Sequence, residues 1–127
     1  MFSNNILALN QIGLGNEILD PEDAFKMTIT KIDDSILINW EIEKAYYLYQ
    51  NSIKVTHKNQ PVEFELIGDP VVHKDEFLGE TVIFRDSLYL EILDQIEQNL
   101  MNYEVAFQGC AEKRFCYTPI KVKLSSL

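Results

Sequence analysis

Hydrophobic and polar residues alternate with a period of two along most of this chain. In the segment "VEFEL", Val62, Phe64 and Leu66 alternate with two glutamates, which is the pattern of a strand with one buried face. Five further segments show the same alternation, with apolar faces formed by Phe25, Met27 and Ile29; by Ile36, Ile38, Trp40 and Ile42; by Leu88, Leu90 and Ile92; by Tyr103, Val105 and Phe107; and by Ile120, Val122 and Leu124. The pattern therefore predicts a chain that is β almost throughout.

Turn-forming residues separate these segments, at Asp33-Asp34, His57 to Pro61, Gly68-Asp69-Pro70 and Met101-Asn102. Short strands at this spacing are typical of an all-β fold, an immunoglobulin-like antiparallel β-sandwich. One short helix is predicted at "DQIEQNL", residues 94–100, where a hairpin connection fits equally well. Residues 1–18 form a poorly patterned N-terminal segment, so we expect a single domain over residues 19–127.

Composition narrows the classes of function. With 127 residues, 46% of them hydrophobic, the chain can bury a real core without needing a disulfide to stay folded. Its net charge of −9 disfavours both nucleic acid and anionic membrane surfaces as partners. No stretch is long and apolar enough for a membrane-spanning helix, and the N-terminus "MFSNNILALN" lacks the basic start of a signal peptide. Composition leaves both a cytoplasmic protein and an exported domain without its leader open.

The candidate chemistry lies in "FQGCAEKRFCYTP", residues 107–119, which holds the two cysteines of the chain, Cys110 and Cys116. Their spacing is unsuited to structural zinc, and His57 and His73 do not form a paired ligand motif, so we predict no metal and no cofactor. Two strands joined by a short turn can bring the cysteines into bonding distance. Closing this loop would contribute only about 2.4 kcal/mol to stability. A structural disulfide, a redox-active pair and two free core thiols all remain open on these residues alone.

Residues near the cysteines offer functional and ordinary interpretations. Lys113-Arg114 would favour a nearby thiolate, although such a pair is more commonly a solvated hairpin tip. Phe115 and Tyr117 flank the second cysteine. In "AYYLYQ", Tyr47 and Tyr49 share one face of a predicted strand, which is also a common packing arrangement.

The segment "DEFLG", residues 75–79, is predicted to be a polar loop that carries two large apolar residues, Phe77 and Leu78. Apolar residues in such a loop cover or bind something, or Phe77 fills the end of the sandwich core. Asp75 and Glu76 could form a general acid/base pair, but no nucleophile, metal motif or phosphate loop accompanies them. Adjacent acids in loops are usually solvated.

Four collinear segments carry a resemblance to a known family. "FQGCAEKRFCYTP" closely resembles the active-site hairpin of the N-terminal periplasmic domain in the DsbD family of transmembrane thiol:disulfide interchange proteins. The family pattern Q-G-C-A-x-x-x-F-C-Y-x-P is met by Gln108, Gly109, Cys110, Ala111, Phe115, Cys116, Tyr117 and Pro119. "DEFLGETVIFRD" resembles the family's cap-loop segment, met by Asp75, Glu76, Phe77, Gly79, Arg85 and Asp86. "YYLYQNSIKV" and "DPEDAF" resemble two further segments, and the resemblance covers roughly residues 19–127.

The resemblance implies an immunoglobulin-like sandwich, in agreement with the strand pattern. It implies a monomeric periplasmic domain of an inner-membrane protein, without cofactor or membrane contact of its own. It also implies that the domain takes electrons from the thioredoxin-like C-terminal domain of the same full-length protein. The domain would then reduce periplasmic thioredoxin-fold proteins, namely a disulfide isomerase and a thioredoxin of cytochrome c maturation.

The same resemblance assigns roles to residues. Cys116 would form mixed disulfides and Cys110 would resolve them, while Phe77, on the loop Asp75–Gly79, would cover the pair with Tyr47 and Tyr49 packed around it. Leu78 departs from the aromatic residue common in the family, so we expect a less effective cap. Glu112-Lys113-Arg114 carries more charge than the family pattern requires. The alternatives are an immunoglobulin-like binding module with a purely structural disulfide and a metal-dependent protein.

Overall fold

The computed structural model describes residues 17–93 and 99–127. Its strands are β1 (Phe25–Ile32), β2 (Ser35–Ile42), β3 (Tyr46–Tyr49), β4 (Lys54–His57), β5 (Gln60–Pro61), β6 (Phe64–Ile67), β7 (Val71–Asp75), β8 (Gly79–Phe84), β9 (Ser87–Ile92), β10 (Tyr103–Phe107), β11 (Gly109–Ala111), β12 (Phe115–Cys116) and β13 (Ile120–Lys123). Short helical turns are α1 (Pro21–Ala24) and two 3-10 helices, Gln50–Ser52 and Leu124–Ser126. Within these ranges, no helix is long and apolar enough to cross a membrane.

The described strands form three antiparallel sheets, with orders β1-β2-β9-β6, β13-β10-β4-β5 and β12-β11-β3-β8-β7. Gln108 alone separates β10 from β11, and a 3-10 turn connects β3 to β4. The second and third sheets therefore use the same two chain segments, paired first as β11 with β3 and then as β10 with β4. These two sheets form one layer of a sandwich, and the first sheet forms the other.

The core lies between these layers. All four apolar residues predicted for β2 are buried, and Trp40 meets Phe107 of the opposite layer with ring centroids 5.4 Å apart. The predicted alternation is likewise confirmed in β9 and β10, where every second side chain is buried. In the last segment β13 ends at Lys123, and Leu124 is buried as the first residue of a 3-10 helix. Antiparallel pairing and a two-layer core confirm the predicted fold class.

Two features differ from the expectations. The helix α1 was not predicted, although Pro21 after Asp20 is a sequence signal for a helix start. The segment around residues 75–79 is the tip of a hairpin between β7 and β8, with Asp75 still paired to Gly79. The helix predicted over residues 94–100 lies mostly outside the described residues.

Candidate functional site

The third sheet has one face built from residues that the sequence scatters along the chain. Cys110 on β11 stands opposite Tyr47 on β3, and Tyr49 stands opposite Ile83 on β8. Because side chains alternate along strands, Tyr47 and Tyr49 lie on the same face, as predicted. Tyr47, Tyr49, Ile83 and Cys110 form a small buried cluster separate from the main core, and Cys116 packs against it.

The two cysteines are joined by a disulfide across the β11–β12 hairpin. They are directly paired in the strand register, with Cα atoms 4.0 Å apart. Cys110 is 0% exposed, whereas Cys116 is partly exposed on the outermost strand of the sheet. An attacking thiol therefore has better access to the sulfur of Cys116.

Gly109 allows β11 to approach β3 closely beside the buried sulfur. A Cβ atom at this position would lie 2.6 Å from the backbone oxygen of Tyr47 and 2.5 Å from the ring of Phe25. Backbone at that distance cannot yield as a flexible side chain would. The glycine before the first cysteine is therefore required by the packing of the site.

Asp75 is the organising residue of this face. Its side chain is buried, at 3% exposure, and accepts four hydrogen bonds. Oδ2 accepts from the hydroxyls of Tyr47 and, at 2.7 Å, Tyr49, while Oδ1 accepts from the backbone N–H groups of Phe77, at 2.5 Å, and Leu78, at 2.8 Å. These bonds satisfy a carboxylate that would otherwise be costly to bury. One side chain thus joins the tip of the β7–β8 hairpin to both tyrosines.

The protonation states of this group follow from the same contacts. Burial by itself would raise the pKa of Asp75, but the hydrogen bonds from the two tyrosines and from the loop backbone outweigh it and hold the pKa below its ordinary value. Burial, and then hydrogen bonding to Asp75, raise the pKa of Tyr47 and of Tyr49. At neutral pH, Asp75 is therefore a carboxylate and both tyrosines are protonated donors.

Tyr49 connects this carboxylate to the disulfide. Its hydroxyl oxygen lies 3.1 Å from Cys110 Sγ and 3.5 Å from Cys116 Sγ. Neither sulfur of a disulfide carries a proton, and the single hydroxyl hydrogen of Tyr49 is donated to Asp75. After reduction, the Cys110 thiol is placed to donate to the Tyr49 oxygen.

Two aromatic residues beside the second cysteine have different environments. Phe115 is mostly outside the core, whereas Tyr117 is buried in the main core, with its ring 5.6 Å from that of Phe25. The Tyr117 hydroxyl donates to the carbonyl oxygen of Leu19 at 2.5 Å, and burial raises its pKa to about 12. The structure therefore places Tyr117 away from the tyrosine cluster at the sulfurs, because it follows Cys116 and points to the other face.

The tip of the β7–β8 hairpin exposes apolar side chains. Phe77 is 47% exposed and Leu78 is 62% exposed, and neither belongs to a buried cluster. This exposure excludes the alternative in which Phe77 fills the end of the sandwich core. Glu76 is solvent-exposed, and Gly79 has a φ of +78°, a conformation that favours glycine. The expectation that both adjacent acids are solvated therefore holds for Glu76 but is wrong for the buried Asp75.

An ion pair on this face was missed at the level of sequence. Arg85 Nη1 and Nη2 donate to the two carboxylate oxygens of Glu112, at 3.0 and 3.2 Å. The guanidinium carbon lies 5.4 Å from the centre of the Tyr47 ring. The sequence does contain a signal for this ion pair, because side chains two positions apart point to the same face of a strand. Glu112 follows Cys110 by two positions, and Arg85 follows Ile83 by two.

His73 is a second missed neighbour. Its ring centroid lies 5.2 Å from that of Tyr47. Its Nε2 is buried without a hydrogen-bond partner among the described residues. The Tyr47 ring therefore contacts both the histidine of β7 and the arginine that follows β8.

The family model for the N-terminal part of thiol:disulfide interchange protein DsbD matches residues 15–126. This chain belongs to the DsbD N-terminal domain family. The resemblance carried by the cysteine hairpin and the cap-loop segment is thereby confirmed. The DsbD family is named for thiol–disulfide chemistry, and the Cys110–Cys116 bond is the group in this chain that can perform it.

Curated relatives agree with this membership. The DsbD protein of Actinobacillus pleuropneumoniae serotype 5b is 40% identical over 111 residues, and that of Yersinia enterocolitica serotype O:8 is 34% identical over 98 residues. These matches cover 84% and 77% of this chain, but 18% and 17% of the two relatives. The chain therefore spans less than a fifth of the length of these DsbD proteins.

Solved structures of DsbD domains share the fold. The reduced N-terminal domain of Neisseria meningitidis DsbD matches with a TM-score of 0.70 at 24% identity, covering 84% of this chain and 86% of that one. A chain in the complex between the DsbD and PilB N-terminal domains of the same species matches with a TM-score of 0.60 at 25% identity. This match covers 84% of the present chain and 85% of the chain in the complex. The immunoglobulin-like fold is common to all three chains.

Proposed function

We propose that this chain is a periplasmic thiol:disulfide exchange domain of an inner-membrane protein. It takes electrons from a thioredoxin-like domain of the same protein and reduces periplasmic thioredoxin-fold partners through Cys110 and Cys116. The observation that carries the proposal is the asymmetric disulfide, with one sulfur accessible on an outer strand and the other buried beneath Tyr49. A purely structural bond needs no accessible sulfur, whereas exchange does.

The exchange runs in two halves. To load the domain, a thiolate of the donor attacks Cys116 Sγ, and Cys110 leaves as a thiolate that takes up a proton. The donor's second thiolate then breaks the mixed disulfide and leaves a reduced Cys110–Cys116 pair. To deliver the electrons, the Cys116 thiolate attacks the disulfide of an oxidised partner, and Cys110 then attacks Cys116 Sγ and releases the partner's second thiol. Each half transfers two electrons and two protons.

Asp75 and Tyr49 supply the electrostatic control of this chemistry. A thiolate at either cysteine competes with the Asp75 carboxylate for the single hydroxyl hydrogen of Tyr49. This competition disfavours a thiolate at either cysteine. The reduced pair is thus less reactive towards oxidants that meet it outside a partner complex.

The tip of the β7–β8 hairpin is proposed as a cap over the pair. Asp75 ties this tip to the tyrosines through the backbone of Phe77 and Leu78, and Gly79 begins β8 at its other end. The exposed side chains of Phe77 and Leu78 offer an apolar surface for a partner. A related DsbD N-terminal domain forms a complex with the N-terminal domain of PilB, which supports a protein partner for this domain.

The reduction potential of the Cys110–Cys116 pair tests the proposed function. The domain is equilibrated over a range of glutathione or dithiothreitol ratios, free thiols are trapped by alkylation, and the species are counted by intact mass. We expect a potential between roughly −280 and −180 mV, the range of exchange catalysts. A potential below roughly −300 mV would mark a structural bond and support the binding module instead.

A further inference from the structure

The Arg85–Glu112 ion pair joins the ends of β8 and β11. These two strands do not pair with each other, because β3 lies between them in the sheet. Arg85 follows β8, which begins at Gly79 in the cap segment, and Glu112 follows β11, which carries the buried cysteine. The Arg85 guanidinium bonds to Glu112 and lies over the ring of Tyr47, on the face that holds Cys110. The bidentate geometry and the ring contact are specific to a guanidinium.

Backbone hydrogen bonds also hold the end of the hairpin in place. The strand β12, which carries Cys116, pairs over two residues with β11 and has no further strand beside it among the described residues. Backbone N–H groups donate from Arg114 to Ala111 at 3.0 Å, from Glu112 to Ala45 at 2.8 Å and, directly after Cys116, from Tyr117 to Gly109 at 3.0 Å. When the disulfide is open, the turn that starts at Glu112 therefore acts together with these bonds to set the position of Cys116 relative to Cys110.

We propose that Arg85 is a positioning residue for thiol–disulfide exchange. Through its bond to Glu112, it holds the cysteine hairpin in its closed geometry while the disulfide is open. Cys110 then stays within reach of the Cys116–partner bond and resolves it. This inference rests on the proposed exchange function, and neither side of the ion pair touches a sulfur or a partner in this role.

The ion pair has a calculable consequence for the equilibrium. In the oxidised domain, the covalent bond holds the hairpin whether or not the ion pair is present. In the reduced and mixed-disulfide forms, the ion pair adds to the restraint from the backbone bonds, so it raises the effective concentration of Cys110 at the Cys116 sulfur. Because the two side chains are 31% and 28% exposed, solvent weakens the pair, and we expect an effect of about two- to tenfold.

The test compares R85Q, R85K, E112Q and the R85Q/E112Q double variant with the wild-type domain. Each protein is equilibrated with reduced and oxidised glutathione, and mass spectrometry of the trapped species measures the disulfide, dithiol and glutathione-bound fractions. K121Q and E104Q remove one charge of each sign from the second sheet and serve as matched controls. Thermal unfolding of every oxidised variant is measured in parallel.

R85Q and E112Q are expected to increase the glutathione-bound fraction relative to the disulfide by about two- to tenfold, as bidentate ion pairs of partial exposure allow. The double variant should be no more affected than the stronger single variant, because both changes break one bond. R85K should be intermediate, since lysine keeps the charge without the fork. If R85Q does not fold, the test relies on R85K and on E112Q, whose glutamine is nearly isosteric with the glutamate that it replaces.

Wild-type ratios of species in all variants, with only the melting temperature lowered, would overturn the inference and leave the pair a structural contact. The proposed function is judged separately, by the potential of the wild-type domain itself. A wild-type potential below roughly −300 mV would sink the function. If the wild-type potential lies in the exchange range and the variants keep the wild-type ratio of glutathione-bound to disulfide forms, only the role of Arg85 is refuted.

Discussion

The hydroxyl oxygen of Tyr49 lies 3.1 Å from the sulfur of Cys110. The same hydroxyl donates its hydrogen to Asp75 at 2.7 Å, so one tyrosine connects the buried sulfur to the buried carboxylate. The state of the disulfide and the hydrogen bonding of Asp75 are therefore coupled, because reduction adds a thiol proton that only the Tyr49 hydroxyl separates from the carboxylate.

Replacing Tyr49 with phenylalanine removes one of the four donors to Asp75. We expect the free energy of unfolding of the oxidised domain to fall by about 1–3 kcal/mol, since a buried acceptor loses a partner. Urea unfolding at pH 7 measures the change. Tyr89→Phe, on an exposed position of β9, is the matched control and should be close to neutral. Equal stabilities of the two variants would show that the Tyr49 hydroxyl does not support Asp75.

The depressed pKa of Asp75 predicts a specific dependence of stability on pH. A carboxyl group with a lowered pKa in the folded state contributes stability above its ordinary pKa of 3.8, and this contribution is lost as the pH falls through the folded value. Asp75→Asn should therefore be less stable than wild type by about 1–3 kcal/mol at pH 7. The difference should shrink as the pH is lowered below 3.8.

Urea unfolding of both proteins between pH 7 and pH 3 provides the measurement for Asp75. Glu76→Gln is the control, because Glu76 is the neighbouring acid and its carboxyl group is solvent-exposed. If the stability difference between Asp75→Asn and wild type stays constant across this range, the variant is destabilised by its altered side-chain shape and not by the loss of the charge.

The single-cysteine variants should differ in reactivity. Cys110→Ser leaves the partly exposed thiol of Cys116, whereas Cys116→Ser leaves a thiol that is 0% exposed. We expect iodoacetamide to alkylate the first variant faster, because access limits the reaction of the buried sulfur. Both variants lose the same disulfide, so each is the stability control for the other. Equal alkylation rates, measured by mass, would remove the structural basis for assigning the attacking role to Cys116.

Replacing Phe77 with alanine tests the cap. If the Phe77 ring shields the pair, the variant should be reduced faster by dithiothreitol and, once reduced, oxidised faster by hydrogen peroxide. Leu93→Ala removes another exposed apolar side chain, beyond the end of β9, and should leave both rates unchanged. Identical rates for Phe77→Ala and wild type would refute shielding by this ring.

The alternation of residues was sufficient to predict most of the fold. A strand turns its side chains to opposite faces in strict order, so the buried residues of β2, β9 and β10 could be assigned from their positions alone. The same rule placed Tyr47 and Tyr49 on a common face. It did not predict the hairpin of β7 and β8, whose sequence alternates less clearly and which is held by pairing to β3.

The site depended more on tertiary structure. Asp75 and Glu76 are adjacent acids in a polar segment, and sequence alone favours solvent for both. Only the fold brings the hydroxyls of Tyr47 and Tyr49, 28 and 26 positions away, to the Asp75 carboxylate. A charge can be buried only where donors converge on it, and such convergence is a property of strand register and not of neighbouring residues.

The cysteine hairpin shows the same division. The motif around Cys110 and Cys116 was enough to predict the family and to select these two cysteines as the candidate site. The fold alone decided that Cys110 is buried and Cys116 accessible, because β11 lies inside the third sheet and β12 lies at its edge. Sequence spacing determines which residues can pair, and the order of strands in the sheet determines which of them meets solvent.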